Sequence, residues 1–179
     1  MDNFNFPSKG IKSNLKWKKE MKNLGGDYDH EKIYFDIKKP LTLYNNNITT
    51  YVKAGTTYNN SNEDSLILSD KFTLGGLFNM SAYKPYTLIG NHMFLALAKY
   101  RYRIKDGGFF GSLNTPLYAG FTLEAGDAWS DGEYRNFQDL KKSVSIYVAA
   151  ETFLGPLYLA HASSEDGENS FYIYLGESF

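Results

Sequence analysis

The chain has no cysteine. A disulfide scaffold and a thiolate metal site are therefore excluded. No apolar run approaches the ~18 residues that a helical membrane span needs, and the mean hydropathy is −0.43. No excess of one charge is present either: 19 Lys and Arg stand against 20 Asp and Glu, a net charge of −1. Nothing global therefore points to nucleic acid. The three histidines, His30, His92 and His161, are too scattered to form a ligand set. No Gly-x-Ser-x-Gly nucleophile motif and no other catalytic constellation occurs. The chain is read as non-enzymatic, with no cofactor and no metal.

What is abundant is aromatic. Fifteen Tyr and 13 Phe bring the aromatic share to 17%, beside 16 Gly. Many aromatics, many glycines and no helical span suit an outer-membrane β-barrel, whose signal per strand is weak. A soluble β-sandwich has similar totals, so composition leaves both open. At 179 residues the chain has the size of one domain, residues 1–179, with a sizeable core.

Periodicity separates the segments. Ile33, Phe35 and Ile37 alternate with Lys32, Tyr34, Asp36 and Lys38. Val52 and Ala54 oppose Tyr51, Lys53 and Gly55. From Gly90 an apolar run ends in Lys99, Tyr100, Arg101, Tyr102 and Arg103, charge alternating with tyrosine. Leu117 to Ala125 and Val144 to Ala150 alternate in the same way, and Leu157 and Leu159 flank Tyr158 in a short strand. Phe171, Ile173, Leu175 and Phe179 share one parity, with Gly176 on the other. Period two with one wet and one apolar face predicts half-buried strands. Leu15 to Leu24 reads equally as helix or strand. Leu66 to Leu68 forms at most a brief strand. Asn45-Asn46-Asn47 and Gly155-Pro156 read as turns. The pattern amounts to eight strands, of about ten residues where it is clearest, the length a tilted strand needs to cross a bilayer.

The connections alternate between long and short, as in outer-membrane barrels; Lys105–Pro116 fits that poorly. The longest, about residues 59–89, holds FTLGGLFNMSAY (Phe72 to Tyr83), too irregular for a regular element and expected to fold into the lumen through Gly75, Gly76, Ser81 and Tyr83. The expected lumen charges are Lys99, Arg101, Arg103, Glu124 and Glu151, with the arginines paired to Glu124 or Glu151. Tyr100 and Tyr102 suit an aromatic girdle or cross-strand packing equally.

Several short pieces, in this order, carry a resemblance. They are FPSKG after Asp2-Asn3, FTLGG, GNHMFLALAKYRYR, LEAGDAW, LGPL and the terminal FYIYLGESF. The chain resembles the C-terminal half of the barrel in the outer-membrane protein insertase superfamily, the bacterial surface antigens, which includes BamA-like insertases. The likeness is greatest to the barrels of patatin-like autotransporters. It implies an antiparallel transmembrane barrel and reads Leu15 to Leu24 as strand. It also implies that Phe171, Ile173, Leu175, Gly176 and Phe179 form the strand that barrel assembly machinery recognises. Insertases of the superfamily carry an Arg-Gly-aromatic tip in the long loop. Here the matching place reads Ser81-Ala82-Tyr83, which argues against insertase activity. Asp106-Gly107-Gly108 imitates the patatin aspartate motif but has no serine partner and reads as a turn.

Family barrels have sixteen strands, and this chain supplies eight. An open sheet in lipid would leave its edge amides unsatisfied. The chain must therefore close on itself or on a second copy, and the surplus of inward lysines and arginines favours the wider, watered, homodimeric barrel. The expected setting is outer-membrane lipid, with a role as anchor and as pore or translocator. Met1-Asp2-Asn3 lacks the basic start and apolar centre of a leader, so either a leader has been removed or the chain is a piece of a longer one. The rival expectations are a self-closed eight-stranded barrel and a soluble barrel binding an apolar ligand.

Overall fold

The computed structural model describes residues 8–21, 23, 29–59, 70–105, 116–133 and 136–176. Its strands are β1 (Lys12–Glu20), β2 (His30–Leu43), β3 (Asn46–Asn59), β4 (Phe72–Leu74), β5 (Leu88–Gly90), β6 (His92–Lys105), β7 (Leu117–Trp129), β8 (Lys141–Thr152), β9 (Gly155–Ser164) and β10 (Asn169–Leu175). Eight of them form one sheet in the order β1-β2-β3-β6-β7-β8-β9-β10. All its neighbours pair antiparallel. Helical structure among the described residues is limited to short 3-10 turns such as Phe137–Asp139.

The side chains sort by parity. On β6, Met93, Leu95, Leu97, Lys99 and Arg101 are buried, while Phe94, Ala96, Ala98 and Tyr100 are partly exposed and Tyr102 is exposed. On β8, Ser143, Ser145, Tyr147 and Ala149 are buried while Val144, Ile146 and Val148 are exposed. On β10, Phe171 is 65% and Ile173 76% exposed. Apolar residues thus look outward all along the sheet. A contiguous exposed apolar band of that kind marks a surface that meets membrane or another protein.

The sheet is curled. Tyr51 on β3, Leu97 on β6, Tyr118 on β7, Tyr147 on β8 and Tyr158 on β9 share one buried cluster with Phe78. Laid flat, β3 to β10 would span about 24 Å at ~4.8 Å per strand, too far for one side chain to collect. Two glycines permit close approach on the inner face. A Cβ on Gly120 would lie 2.6 Å from the Tyr147 ring, and one on Gly55 would lie 2.4 Å from Phe72.

Several expectations change in detail. The stretch from Phe72 is not wholly irregular: Phe72–Leu74 pairs with Leu88–Gly90 as a small ribbon. The turns fall earlier than the Asn and Gly-Pro signals suggest, the first by one residue and the second by two. Tyr44, at φ 54, takes a corner of the first, so Asn46 already begins β3. Thr152 Oγ1 donates to the Gly155 carbonyl at 2.6 Å and closes the second, so Gly155-Pro156 begins β9. The segment around Tyr158 is a full strand because Ser143 to Thr152 pairs along its whole length. Leu15 and its neighbours form strand β1. Leu66–Leu68, Asp106-Gly107-Gly108 and Phe179 lie outside the described residues.

One correction concerns closure. Within one chain the sheet is open: β1 pairs only with β2, and β10 only with β9. The physical reason lies on the inner face, where a loop occupies the space that a self-closed eight-stranded barrel would leave for side chains alone.

Candidate functional site

The candidate site is the loop from Asp70 to Asn91 and the wall it rests on. Gly75 and Gly76 start its fold at φ 127 and 99, a region that favours glycine. A Cβ on Gly75 would lie 2.0 Å from the Lys84 carbonyl oxygen. The backbone then winds tightly. The Gly75 N–H donates to the Asn79 carbonyl at 2.7 Å, and the Gly76 N–H to the Tyr83 carbonyl at 2.8 Å. Phe78 and Met80 also have positive φ, 61 and 71, and both are buried. Such non-glycine conformations cost about 1–3 kcal/mol each and persist only where the surroundings hold them.

The surroundings do hold them. The Phe78 ring meets Tyr147 and Tyr158 edge-on, with centroids 5.4 and 5.2 Å apart. Lys99 places its ammonium 3.5 Å from the Phe78 ring centre and 4.6 Å from that of Tyr158. Rings on several sides offer a buried cation partial compensation. Lys53 donates to Asn79 Oδ1. The tip is fastened by a carboxylate: Ser81 Oγ donates to Glu124 Oε1 at 2.8 Å, and the Ser81 N–H donates to Glu124 Oε2. The Ala82 N–H donates to Ser143 Oγ at 2.9 Å. From β10, Tyr172 donates to the Ser81 carbonyl at 2.6 Å and Ser170 to the Ala82 carbonyl at 2.9 Å. At the rim, Tyr83 donates to Asp166 Oδ2 at 2.9 Å, and Lys141 donates to the same oxygen at 2.6 Å. The Lys141 ammonium and the Tyr83 hydroxyl hold the Asp166 carboxyl below its ordinary range, and desolvation pushes the Tyr83 hydroxyl up.

The loop therefore bonds to β3, β7, β8 and β10 and packs on β6 and β9. Both buried apolar clusters contain its residues. The structure brings Gly75, Gly76, Ser81 and Tyr83 into this assembly together with Glu124 and Lys99. Arg101 is buried with its guanidinium 5.0 Å over the Tyr118 ring. Arg103 shares its parity and is exposed. Glu151 lies within electrostatic range of Arg101. Glu124, expected to meet an arginine, accepts from Ser81 instead. Tyr100 packs on Phe121 at 5.2 Å and donates to Asn46, which is cross-strand packing. Phe171, Ile173 and Leu175 face outward on β10, and Gly176 follows at φ 135. Phe78, Lys53, Ser143, Ser170 and Tyr172 are the participants that sequence reasoning did not single out. The inward parity of Tyr172 was readable, whereas its hydrogen bond to a loop 89 residues or more away in sequence was not.

This geometry, a curled antiparallel sheet with an inserted loop, has known counterparts. The crystal structure of BamA from Haemophilus ducreyi lacking POTRA domains 1-3 matches with a TM-score of 0.74 at 12% identity, over 96% of this chain. At that identity the likeness concerns the fold, and this chain covers 38% of that structure's length. No curated protein matches by sequence. The Omp85 superfamily domain matches residues 1–179, and the chain belongs to that superfamily.

Proposed function

We propose that the protein is a non-enzymatic barrel of the bacterial outer membrane in which two copies close one sixteen-stranded ring. It anchors, and conducts or translocates, a passenger polypeptide. Superfamily membership and the BamA-like fold support the setting. The outward band of Ile146, Phe171 and Ile173 supports lipid contact. The observation that carries the two-chain reading is the loop on the inner face. Eight strands enclose room for little beyond side chains, and here that space holds the backbone of Phe72 to Gly90.

A second copy resolves the edges without removing the loop. In an alternating sheet of eight strands, β1 and β10 run in opposite directions, so β10 of one copy meets β1 of the other as an antiparallel pair. Their lengths, 9 and 7 residues, match well enough for one ladder. The Ser81-Ala82-Tyr83 tip, fastened through a serine where insertases have an arginine, favours the patatin-like autotransporter branch over an insertase. The C-terminal strand, Phe171, Ile173, Leu175, Gly176 and Phe179, serves as the recognition strand for barrel assembly machinery.

Native mass spectrometry of detergent-purified protein tests the reading: two protomers per particle are expected, and a uniform monomer overturns it. Because the chain has no cysteine, Trp17→Cys combined with Ile173→Cys gives an unambiguous second readout. Oxidation should yield a dimer-sized band. Solubility without detergent, with no heat-modifiable migration, would overturn the membrane setting itself.

A further inference from the structure

The inserted loop touches both free edges of the sheet. Where it begins, at Asp70, it meets the β1 side. The Asp70 carboxylate lies 3.9 Å from the Lys18 ammonium on β1. The Asp70 carbonyl accepts from Lys32 on β2 at 2.8 Å and from Thr57 on β3 at 3.3 Å. The Lys32 ammonium also sits 4.3 Å from the ring centre of Phe72. The tip of the loop meets the other edge. On β10, Ser170 donates to the Ala82 carbonyl, and the Tyr172 hydroxyl lies 2.6 Å from the Ser81 carbonyl and 3.3 Å from that of Tyr83. The Tyr83 hydroxyl bonds to Asp166, in the turn that leads into β10. Between these ends Asn79 bonds to β3, and Phe78 stands on β8 and β9. The loop thus runs across the inner face from edge to edge as a strut, and its bulk limits how far the sheet can curl.

Two closures compete for the edges. Edge amides in lipid must be paired. β1 and β10 of one chain are already joined, and a contact within one chain has an effective concentration on the order of mM. Pairing with a second copy costs the entropy of association instead. Both pairings are antiparallel and use the same backbone groups. Without an obstacle, self-closure into an eight-stranded barrel filled by side chains has the advantage.

We propose that the loop is that obstacle and sets the protomer number. It props the half-ring open, so that β10 is presented to β1 of a second copy of this chain. Ser170 and Tyr172 are the positioning residues of the presented edge. The inference rests on the two-chain barrel proposed above and identifies what in the chain selects it.

Protomer counts by native mass spectrometry in detergent test it, with Trp17→Cys and Ile173→Cys as the seam reporter. In a first variant, residues 75–87 are replaced by Asn-Gly. That two-residue turn suits a hairpin and closes the β4–β5 ribbon beyond its last pair, Leu74 and Leu88. The expected result is a shift from two protomers to one, and from a dimer-sized disulfide band to a monomer-sized band with the disulfide inside one chain. A second variant, Ser170→Ala with Tyr172→Phe, keeps the loop and the ring and removes the fastening to β10. It should raise the monomer fraction several-fold, and it decides the matter where the first variant does not fold. Thr122→Val removes a buried hydroxyl pair between β7 and β8 and should leave the count at two. Two protomers after loop replacement, an unchanged monomer fraction in the second variant, or an equal rise with Thr122→Val overturns the strut and leaves the two-chain barrel standing. One protomer in the unaltered protein overturns both.

Discussion

The two sides of the inner wall are built differently. From β3 to β10 the wall is finished within one chain: Phe78, Lys99, Ser81 and Glu124 are buried and bonded to one another or packed together. On β1 the inward residues Lys12, Lys16 and Lys18 stay exposed. The covered part behaves as a protein core, with aromatic packing and hydrogen-bonded polar groups such as Ser81, Glu124 and Ser143. The uncovered part behaves as the lining of a watered space, where charges cost little because they keep their solvent. One chain thus has a wall covered by its own loop and a wall left uncovered, the asymmetry that the two-chain barrel proposed above would require.

The largest expected effect breaks the finished side. Phe78→Ala removes a fully buried ring and its contacts with Tyr147, Tyr158 and Lys99, and should cost about 3–5 kcal/mol of stability. The measurement is the urea midpoint of detergent-folded protein, followed by heat-modifiable migration. An effect no larger than that of an exposed lysine would mean that the loop is not held by the wall.

A smaller loss tests the polar fastening. Ser81→Ala deletes the donor to Glu124 and the acceptor for the Phe78 N–H. The expected cost is about 1.5–3 kcal/mol, the range for hydrogen bonds to a charged group. The Ser81 N–H remains to hold Glu124, so the loop should loosen at its tip without leaving the wall. Proteolytic sensitivity near Phe78 should rise while the β3–β6 ladder stays protected from hydrogen exchange.

The rim adds a pH-dependent tether. Asp166 is held below the ordinary carboxyl range by Lys141 and Tyr83. A lowered folded-state value means that the tether contributes fully above the ordinary range and is lost as pH falls through the lowered one. Exchange protection of the Tyr83 region should therefore persist at about pH 4 and fall only below it. Asp166→Asn should remove that acid-dependent step.

The sequence showed most of the sheet and little of the plug's fastening, and the reason is physical. Strand parity is local: Ile146 and Val148 outward against Tyr147 and Ala149 inward can be read from neighbours alone. Ser81 and Glu124 stand 43 residues apart, and nothing in either neighbourhood names the other. Glycines at Gly75 and Gly76 marked a sharp bend, but the positive φ of Phe78 and Met80 is imposed by tertiary packing and leaves no local trace. The helix-or-strand ambiguity at Leu15 had the same origin. An edge strand with exposed residues on both faces has a weak period, and its pairing with β2 decides the outcome.

The smallest effect sharpens the contrast from the unfinished side. Lys16 lies on the inward parity of β1, exposed, with its ammonium 5.8 Å from the Tyr34 ring centre. Lys16→Gln should change stability by no more than about 0.5 kcal/mol, as exposed surface substitutions do. It should also leave the protomer count unchanged, because the β1–β10 ladder of the proposed two-chain barrel would be made by backbone groups and not by this side chain. A urea midpoint displaced as far as that of Ser81→Ala would mean that Lys16 is already buried against a neighbour. The wall at β1 would then be as covered as the wall at β8, and the contrast between the two sides of the inner face would vanish.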